Sequence, residues 1–250
     1  MISLDLGLWR RSGGTGFNPL TLSPALWLDA SDSATLFQAT TGSVPAAADG
    51  DPVGYWLDKS GNNRHASQTS GSNKPLLKTS IQNSKNIVRT NGTSSFMSIP
   101  STTMDAPFSF YLVVKKPSSA AVMELAGIST TASRYLFENW SDSKTYFPFK
   151  ASSTSYLNFF ASPVMDIYSA FVLLNVSTDG TTGILKRNNS SVANTPVSGS
   201  ASAVFDRLFY ADNTFGSQDV AETLWFQSAH DATTQTLVIN YLNAKWGVYV

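Results

Sequence analysis

At 250 residues the chain has room for one large β domain or two small ones, and 42% hydrophobic residues can supply a real core. Only 14% of residues are charged and the formal net charge is zero, against roughly 25% charged in an ordinary soluble domain, so there is no basic field for nucleic acid or an anionic membrane surface. With no cysteine, a disulfide framework, a thiolate metal site and a cysteine nucleophile are excluded.

No apolar run approaches the roughly 18 residues of a membrane helix, so no membrane insertion is expected. The chain opens "MISLDLGLWRR", with its arginines after the apolar stretch, the reverse of a secretory signal. Sequons such as those at Asn91 and Asn175 therefore read as plain surface asparagines. Ile2, Leu4, Leu6 and Leu8 alternate with smaller or polar residues, and "RRSGGTGFNP" after them reads as a flexible linker. The division predicted is an arm over 1–20 and a domain over 21–250. An apolar strand this short cannot fold alone. It is expected to anchor the chain by adding itself to a sheet edge of another subunit or partner, the plainer alternative being a disordered terminus.

Beyond the linker the dominant pattern has period two. In "FSFYLVVKK", Phe108, Phe110, Leu112 and Val114 point one way and Ser109, Tyr111, Val113 and Lys115 the other. Similar runs recur at "ALWLDA", "VGYWLD", "KNIVRT", "SFMSIP", "RYLFENW", "TYFPFK", "YLNFFA", "SAFVLLNVS", "GILKR", "RLFYA" and "AETLWFQS". Turn pairs such as Asn91-Gly92, Asp179-Gly180 and Asn188-Asn189 separate them. Many short strands with almost no helix between them predict an all-β sandwich. One helix is expected near the end, capped by Asp231, striped by Leu237, Tyr241, Val238 and Leu242, and stopped by Gly247. It should lie against a sheet edge or cover one end of the sandwich.

The stretch "YWLDKSGNNRHA", residues 55–66, holds three chemistries. Asp58, Ser60 and His65 are the residue types of an acyl-transfer triad, but working triads gather from separate elements around a strained nucleophile turn. Asp58, Ser60 and Asn62 have the alternate spacing of a calcium loop, yet its sixth and twelfth positions hold Asn63 and Thr69 rather than Gly and a carboxylate. Turn chemistry accounts for more: a strand ends, Asp58 bonds nearby backbone N–H groups, and Ser-Gly-Asn-Asn reverses the chain. Asp49-Gly50-Asp51 reads as a hydrophilic turn. Glu124, Glu138 and Glu222 lie in separate strands, where two could form a glycosidase-like pair. His230 has no second histidine nearby and reads as a helix-terminus residue.

Trp27, Trp56 and Trp225 sit in strand patterns and are assigned to the core, with Trp246 packing inward from the helix. Trp140 differs. Beside Asn139 and Asp142, and shortly before Tyr146, it offers a flat apolar face with polar partners, as a sugar platform needs. Trp140, Asp142 and Tyr146 are therefore the candidate ligand-binding residues, and the plainer alternative is a strand-end tryptophan folded onto the sandwich.

"LWLDASD", "DPVGYWLDKSGNNRHASQ", "IVRTNGTSSFMSI" and "AETLWFQSAHDATTQTLVINYLNAKWGV" follow one another in this order. The succession resembles the laminin-G-like or concanavalin-A-like jelly rolls of bacterial and bacteriophage proteins, over roughly residues 24–248. The matching residues are Trp56, Asp58, Ser60, Gly61, Asn62, His65 and Ala66 in the early turn and Glu222 in the last strand. Tyr241, Leu242, Lys245, Trp246 and Gly247 match in the helix. The resemblance implies a two-sheet antiparallel jelly-roll sandwich with one C-terminal helix and an extended N-terminal arm. It implies no invariant catalytic set. Its calcium-binding members use aspartates not matched securely here, so Ca2+ stays open and no other cofactor is implied.

"SATLFQATTGSVPAAADGDPVG" and the short Gly-rich N-terminal lead resemble most the phage and prophage members, which are virion or tail-associated proteins, and complete the expectation. It is a non-enzymatic virion protein, made in the host cytoplasm and placed on the capsid or tail, that forms homo-oligomers. The arm contacts other virion proteins, and a lectin-like domain faces host-surface glycan. The alternatives are a bacterial carbohydrate-binding module and, from another class, a glycan-active hydrolase or lyase.

Overall fold

The computed structural model describes residues 16–119, 121–128, 138–139, 145–146, 149–152, 155–157, 165–196, 202–211 and 213–250. The arm residues Ile2, Leu4, Leu6 and Leu8, and Trp140 and Asp142 of the candidate platform, lie outside this set. Tyr146 is placed only as a strand residue, opposite Glu138 in a two-stranded ladder.

The fold is a two-sheet antiparallel sandwich. One sheet is built from β1 (Leu26–Asp29), β5 (Leu76–Gln82), β6 (Lys85–Arg89), β8 (Phe108–Lys115), β10 (Val172–Thr178), β11 (Thr182–Arg187), β12 (Ser190–Pro196) and β14 (Asp219–Phe226). Its order is β12-β11-β10-β8-β14-β6-β5, with β1 pairing β14 beyond the end of β6. The other sheet runs β2 (Leu36–Phe37), β3 (Tyr55–Trp56), β4 (Ala66–Ser67), β7 (Met97–Asp105), β13 (Ser202–Leu208) and β9 (Ala126–Gly127).

Alternation decides which side chains meet. Phe108, Phe110, Leu112 and Val114 of β8 enter the core between the sheets, while Tyr111 and Val113 join a second apolar cluster on the opposite face. Inside, Trp225 sits edge-on to Phe110 at 5.5 Å and to Phe205 at 5.6 Å, favourable ring geometries. Trp27, Trp56, Trp225 and Trp246 are all buried, as their strand and helix contexts predict.

The helix α1 (Ala232–Trp246) differs from its expected position. It lies across the outer face of the eight-stranded sheet, where Val238, Ile239, Leu242 and Trp246 pack on Ile87, Tyr111, Val113, Leu173 and Leu224. The buried stripe is thus rotated from the predicted one: Val238 and Leu242 belong to it, but Leu237 is 48% exposed. The caps are as expected. Asp231 accepts from Thr234 N at 2.7 Å, and Gly247 takes the left-handed conformation at φ 59°. The β5–β6 turn closes the same end, with Gln82 and Asn83 donating to the carbonyls of Trp246 and Lys245.

Two edge strands, β5 and β12, carry no clear alternation in the sequence. An edge strand faces solvent along much of its length, so its pattern is weakly constrained. Asn175 is not a surface residue. It is fully buried on β10, and its Nδ2 donates to Phe110 O.

Candidate functional site

The 55–66 stretch is a structural knot. Asp58, 6% exposed, accepts from Ser60 N, Ser60 Oγ and Arg64 N within the turn, and from Trp27 N of β1 at 2.9 Å. Gly61 turns the chain at φ 87°, a conformation side chains disfavour. His65 Nδ1 accepts from Asp58 N, and its ring packs edge-on to Tyr55. Ser60 therefore bonds Asp58 directly, with no imidazole between them, so the geometry is not that of a triad. Four donors converge on the Asp58 carboxylate, which suits an anion and not a cation. Among the described residues no group of three or more His, Cys, Asp or Glu is placed to hold a metal.

The second group of motif residues meets around Glu222. A β-bulge at Ala221 puts Val220 into the inter-sheet core yet turns Glu222, two residues on, to the helix side. There its Oε1 accepts from Trp27 Nε1 and Tyr241 OH, and its Oε2 from Trp246 Nε1 and Lys245 Nζ, all between 2.7 and 2.9 Å. The carboxylate opposite Glu222 in the ladder is Asp29. Lys245 bridges the two at 2.7 Å each, and Lys59 ties Asp29 to Asp32. Burial and then the Asp29 charge push the Glu222 carboxyl up. For Asp29, burial acts the same way, but Lys245, Ser31 and Lys59 outweigh it and hold that carboxyl low. Burial, with the Glu222 and Asp29 charges, raises the Tyr241 phenol, which stays a donor. The paired carboxylates are 2% and 0% exposed beneath α1, and their oxygens are occupied by donors, of which Tyr241, Lys245 and Trp246 hold helix to sheet.

His230, at the helix entrance, is buried. Its Nδ1 shares a 2.9 Å hydrogen bond with Tyr111 OH, its backbone N–H donates to Ser109 Oγ, and its carbonyl accepts from Gln235. Burial, opposed weakly by Asp231, lowers its pKa to about 4. The unfolded imidazole titrates near 6.5, so the unfolded chain binds the extra proton first. The neutral ring's contribution is complete above pH 6.5 and is lost as pH falls towards 4. Urea unfolding across that range should show this acid limb, and His230→Asn should flatten it. An unchanged limb in the variant would assign the acid sensitivity elsewhere.

The sandwich is open at another place. Arg89, Asp219 and Lys115 form a row across β6, β14 and β8, since Asp219 is the register partner of both cations. Their neighbours Val88, Val220 and Val114 point into the core, so the row faces outward, beyond the C-terminal end of α1. Arg89 Nε and Nη2 donate to the two Asp219 oxygens at 2.6 and 2.7 Å. Lys115 Nζ has no hydrogen bond or ion pair among the described residues. Two neighbouring clefts of about 370 and 340 Å³ share these three residues in their walls. Thr90, Pro117, Ser217 and Gln218 extend one, and Ser169, Phe171 and Val248 the other.

The floor is fixed. Gln218 clamps the Glu124 backbone through both its amide atoms, and Thr90 Oγ1 holds Gly216 O. A Cβ at Gly216 would come within 2.7 Å of Glu124 N, so the close approach requires glycine. A wider cleft of about 520 Å³ includes Ser60, Asn62 and Arg64, but all three donate to the Ala25 carbonyl and so lock the turn to β1. The Arg89–Asp219–Lys115 row leaves no trace in the sequence, because only strand register brings the three residues together.

No protein-family model and no curated protein matches this chain. Among solved structures it is similar to the binding domain of Paraclostridial Mosquitocidal Protein 1, at TM-score 0.57 and 11% identity over 78% of this chain and 51% of that one. It is also similar to the Botulinum neurotoxin serotype D binding domain, at TM-score 0.59 and 9% identity over 93% and 56%. A third is Trypanosoma rangeli sialidase in complex with sialic acid, at TM-score 0.51 and 11% identity over 86% and 36%. The chain thus spans about half the length of the two toxin domains and about a third of the sialidase. At these identities the likeness is one of fold, that of a β-sandwich.

Proposed function

We propose that this chain is a non-enzymatic recognition domain that displays a glycan-binding surface on a bacteriophage particle. The observation that carries the recognition half is the open charged cleft on the outer face, on a sandwich whose other motif residues are engaged in holding its layers together. Asp29 and Glu222 lie covered beneath α1 and saturated with donors, which favours binding over hydrolysis. The two toxin structures of similar fold are themselves described as binding domains. The phage half rests on the likeness of the 33–54 stretch and the Gly-rich N-terminal lead to phage and prophage proteins, and the arm at Ile2, Leu4, Leu6 and Leu8 serves as the anchor to a virion partner or a second subunit. The platform of Trp140, Asp142 and Tyr146 is a second surface for the same class of ligand.

Mass spectrometry of purified particles tests the virion role, and is expected to find the chain. Deleting residues 1–16 is expected to abolish incorporation while leaving the melting temperature of the domain unchanged. Normal incorporation of the truncated chain would refute anchoring by the arm. Particles without the chain, together with glycan binding by the isolated protein, would favour a bacterial carbohydrate-binding module.

A further inference from the structure

We infer that the cleft around Arg89, Asp219 and Lys115 takes an anionic sugar residue, whose carboxylate or sulfate is held between Lys115 Nζ and Arg89 Nη1. The inference rests on the glycan-recognition reading and names the class of glycan.

The donor inventory carries it. Asp219 engages Arg89 side-on through Nε and Nη2, which orients the guanidinium and leaves the two N–H groups of Nη1 without a partner among the described residues. Lys115, half-buried in the wall, brings three more donors and no acceptor. Both oxygens of the only carboxylate in the row are already occupied. A neutral sugar needs acceptors for its own hydroxyls, and this row offers few. An anionic group supplies what the two cations lack, and charge-assisted bonds are the stronger kind.

The neighbouring charges leave this balance in place. Asp49 lies within electrostatic range of Arg89, but its carboxylate is held by Lys78 and by Thr79 N. The local face therefore carries Arg89, Lys115 and Lys78 against Asp219 and Asp49. Size agrees as well. Each lobe is near the lower end of ligand pockets, roughly 300–1,000 Å³, which suits one sugar unit per lobe. Pro117 on one side, and Phe171 and Val248 on the other, offer apolar walls to its C–H faces.

The test uses the full chain against oligogalacturonate, sialyllactose and a sulfated galactan oligosaccharide, with lactose and maltotriose as neutral counterparts. Affinity is measured by isothermal titration at about 0.05 and 0.3 M salt, which brackets weak and strong screening. At least one acidic sugar is expected to bind at least about tenfold more tightly than the neutral ones, the scale of one charge-assisted contact. Its affinity should fall with salt. The carboxylated and sulfated arms identify which anion fits. Lys115→Glu should abolish the binding and Lys115→Arg retain most of it, with melting temperatures unchanged in both. Acidic-sugar binding that survives Lys115→Glu, or that is lost in Trp140→Ala instead, would overturn the assignment. Sugar binding with no preference for the acidic sugars over the neutral ones would overturn it while leaving glycan recognition standing, and no binding to any sugar would remove both.

Discussion

Glu222→Ala is expected to lower stability by about 3–5 kcal/mol, the range for breaking a buried, partnered charge. The substitution removes the acceptor of two indole N–H groups, one phenol and one ammonium at a single stroke. Lys245 keeps Asp29, so its charge is not stranded. Trp27, Trp246 and Tyr241 have no such second carboxylate, and each buried unsatisfied donor costs about 1–3 kcal/mol. Glu222→Gln should fall in between, because its carbonyl oxygen can serve Trp27 and Tyr241 while its NH2 faces the donors of Trp246 and Lys245. Urea denaturation measures both variants. A double-mutant cycle with Lys245→Met should show strong coupling, since the two residues share one network. A wild-type midpoint for Glu222→Ala would show that apolar packing alone seats the helix.

Asp58→Ala is expected to cost about 2–4 kcal/mol, more than the roughly 0.5–2 kcal/mol of one capping contact. The reason is reach. Three of its four bonds close the turn, but the fourth goes to Trp27 N, 31 residues away, and joins the turn to β1. Removing the carboxylate strands that buried N–H and frees a Gly-Asn-Asn loop together. Asp58→Asn should cost less, because an amide oxygen still accepts. His65→Ala should cost about 1 kcal/mol, for the single bond from Asp58 N. Thermal unfolding distinguishes these values, and an Asp58→Ala protein within 0.5 kcal/mol of the parent, the scatter of neutral surface changes, would contradict the knot.

Much of this architecture is legible in the sequence, because local chemistry fixes it. The alternation of 108–115 assigns both faces of β8 correctly. Asp231 and Gly247 mark the helix ends through properties of their own side chains. The turn at 58–66 reads as a turn from Asp, Ser, Gly and Asn alone. What is illegible is what tertiary pairing decides. No glycine or proline marks the bulge at Ala221, so simple alternation would place Glu222 on the core side with Val220. The helix stripe is misassigned at Leu237 because the adjacent positions 237 and 238 both carry aliphatic residues, and only the docking angle on the sheet chooses between them. Asn175 reads as polar surface because nothing local reveals that α1 covers its strand. The cleft escapes for the same reason: Arg89, Lys115 and Asp219 are separate strand-end charges until register places them side by side.

β14 occupies the middle of the eight-stranded sheet, although it is the last of that sheet's strands in chain order. During synthesis the sheet therefore exists only in pieces. β8 can pair with β10, β10 with β11 and β11 with β12, and β5 can pair with β6, but β1 has no neighbour and the two assemblies have no common strand. The final strand inserts between them, and its helix then brings the ligands of Glu222 to one another, including Trp27, 195 residues upstream. Such long-range closure is slow compared with local pairing. Until it happens the nascent chain carries open strand edges on both sides of the gap, which are templates for wrong partners. A chain stopped short of residue 219 would not be a smaller domain. Its eight-stranded sheet would be left in unjoined fragments with exposed edges.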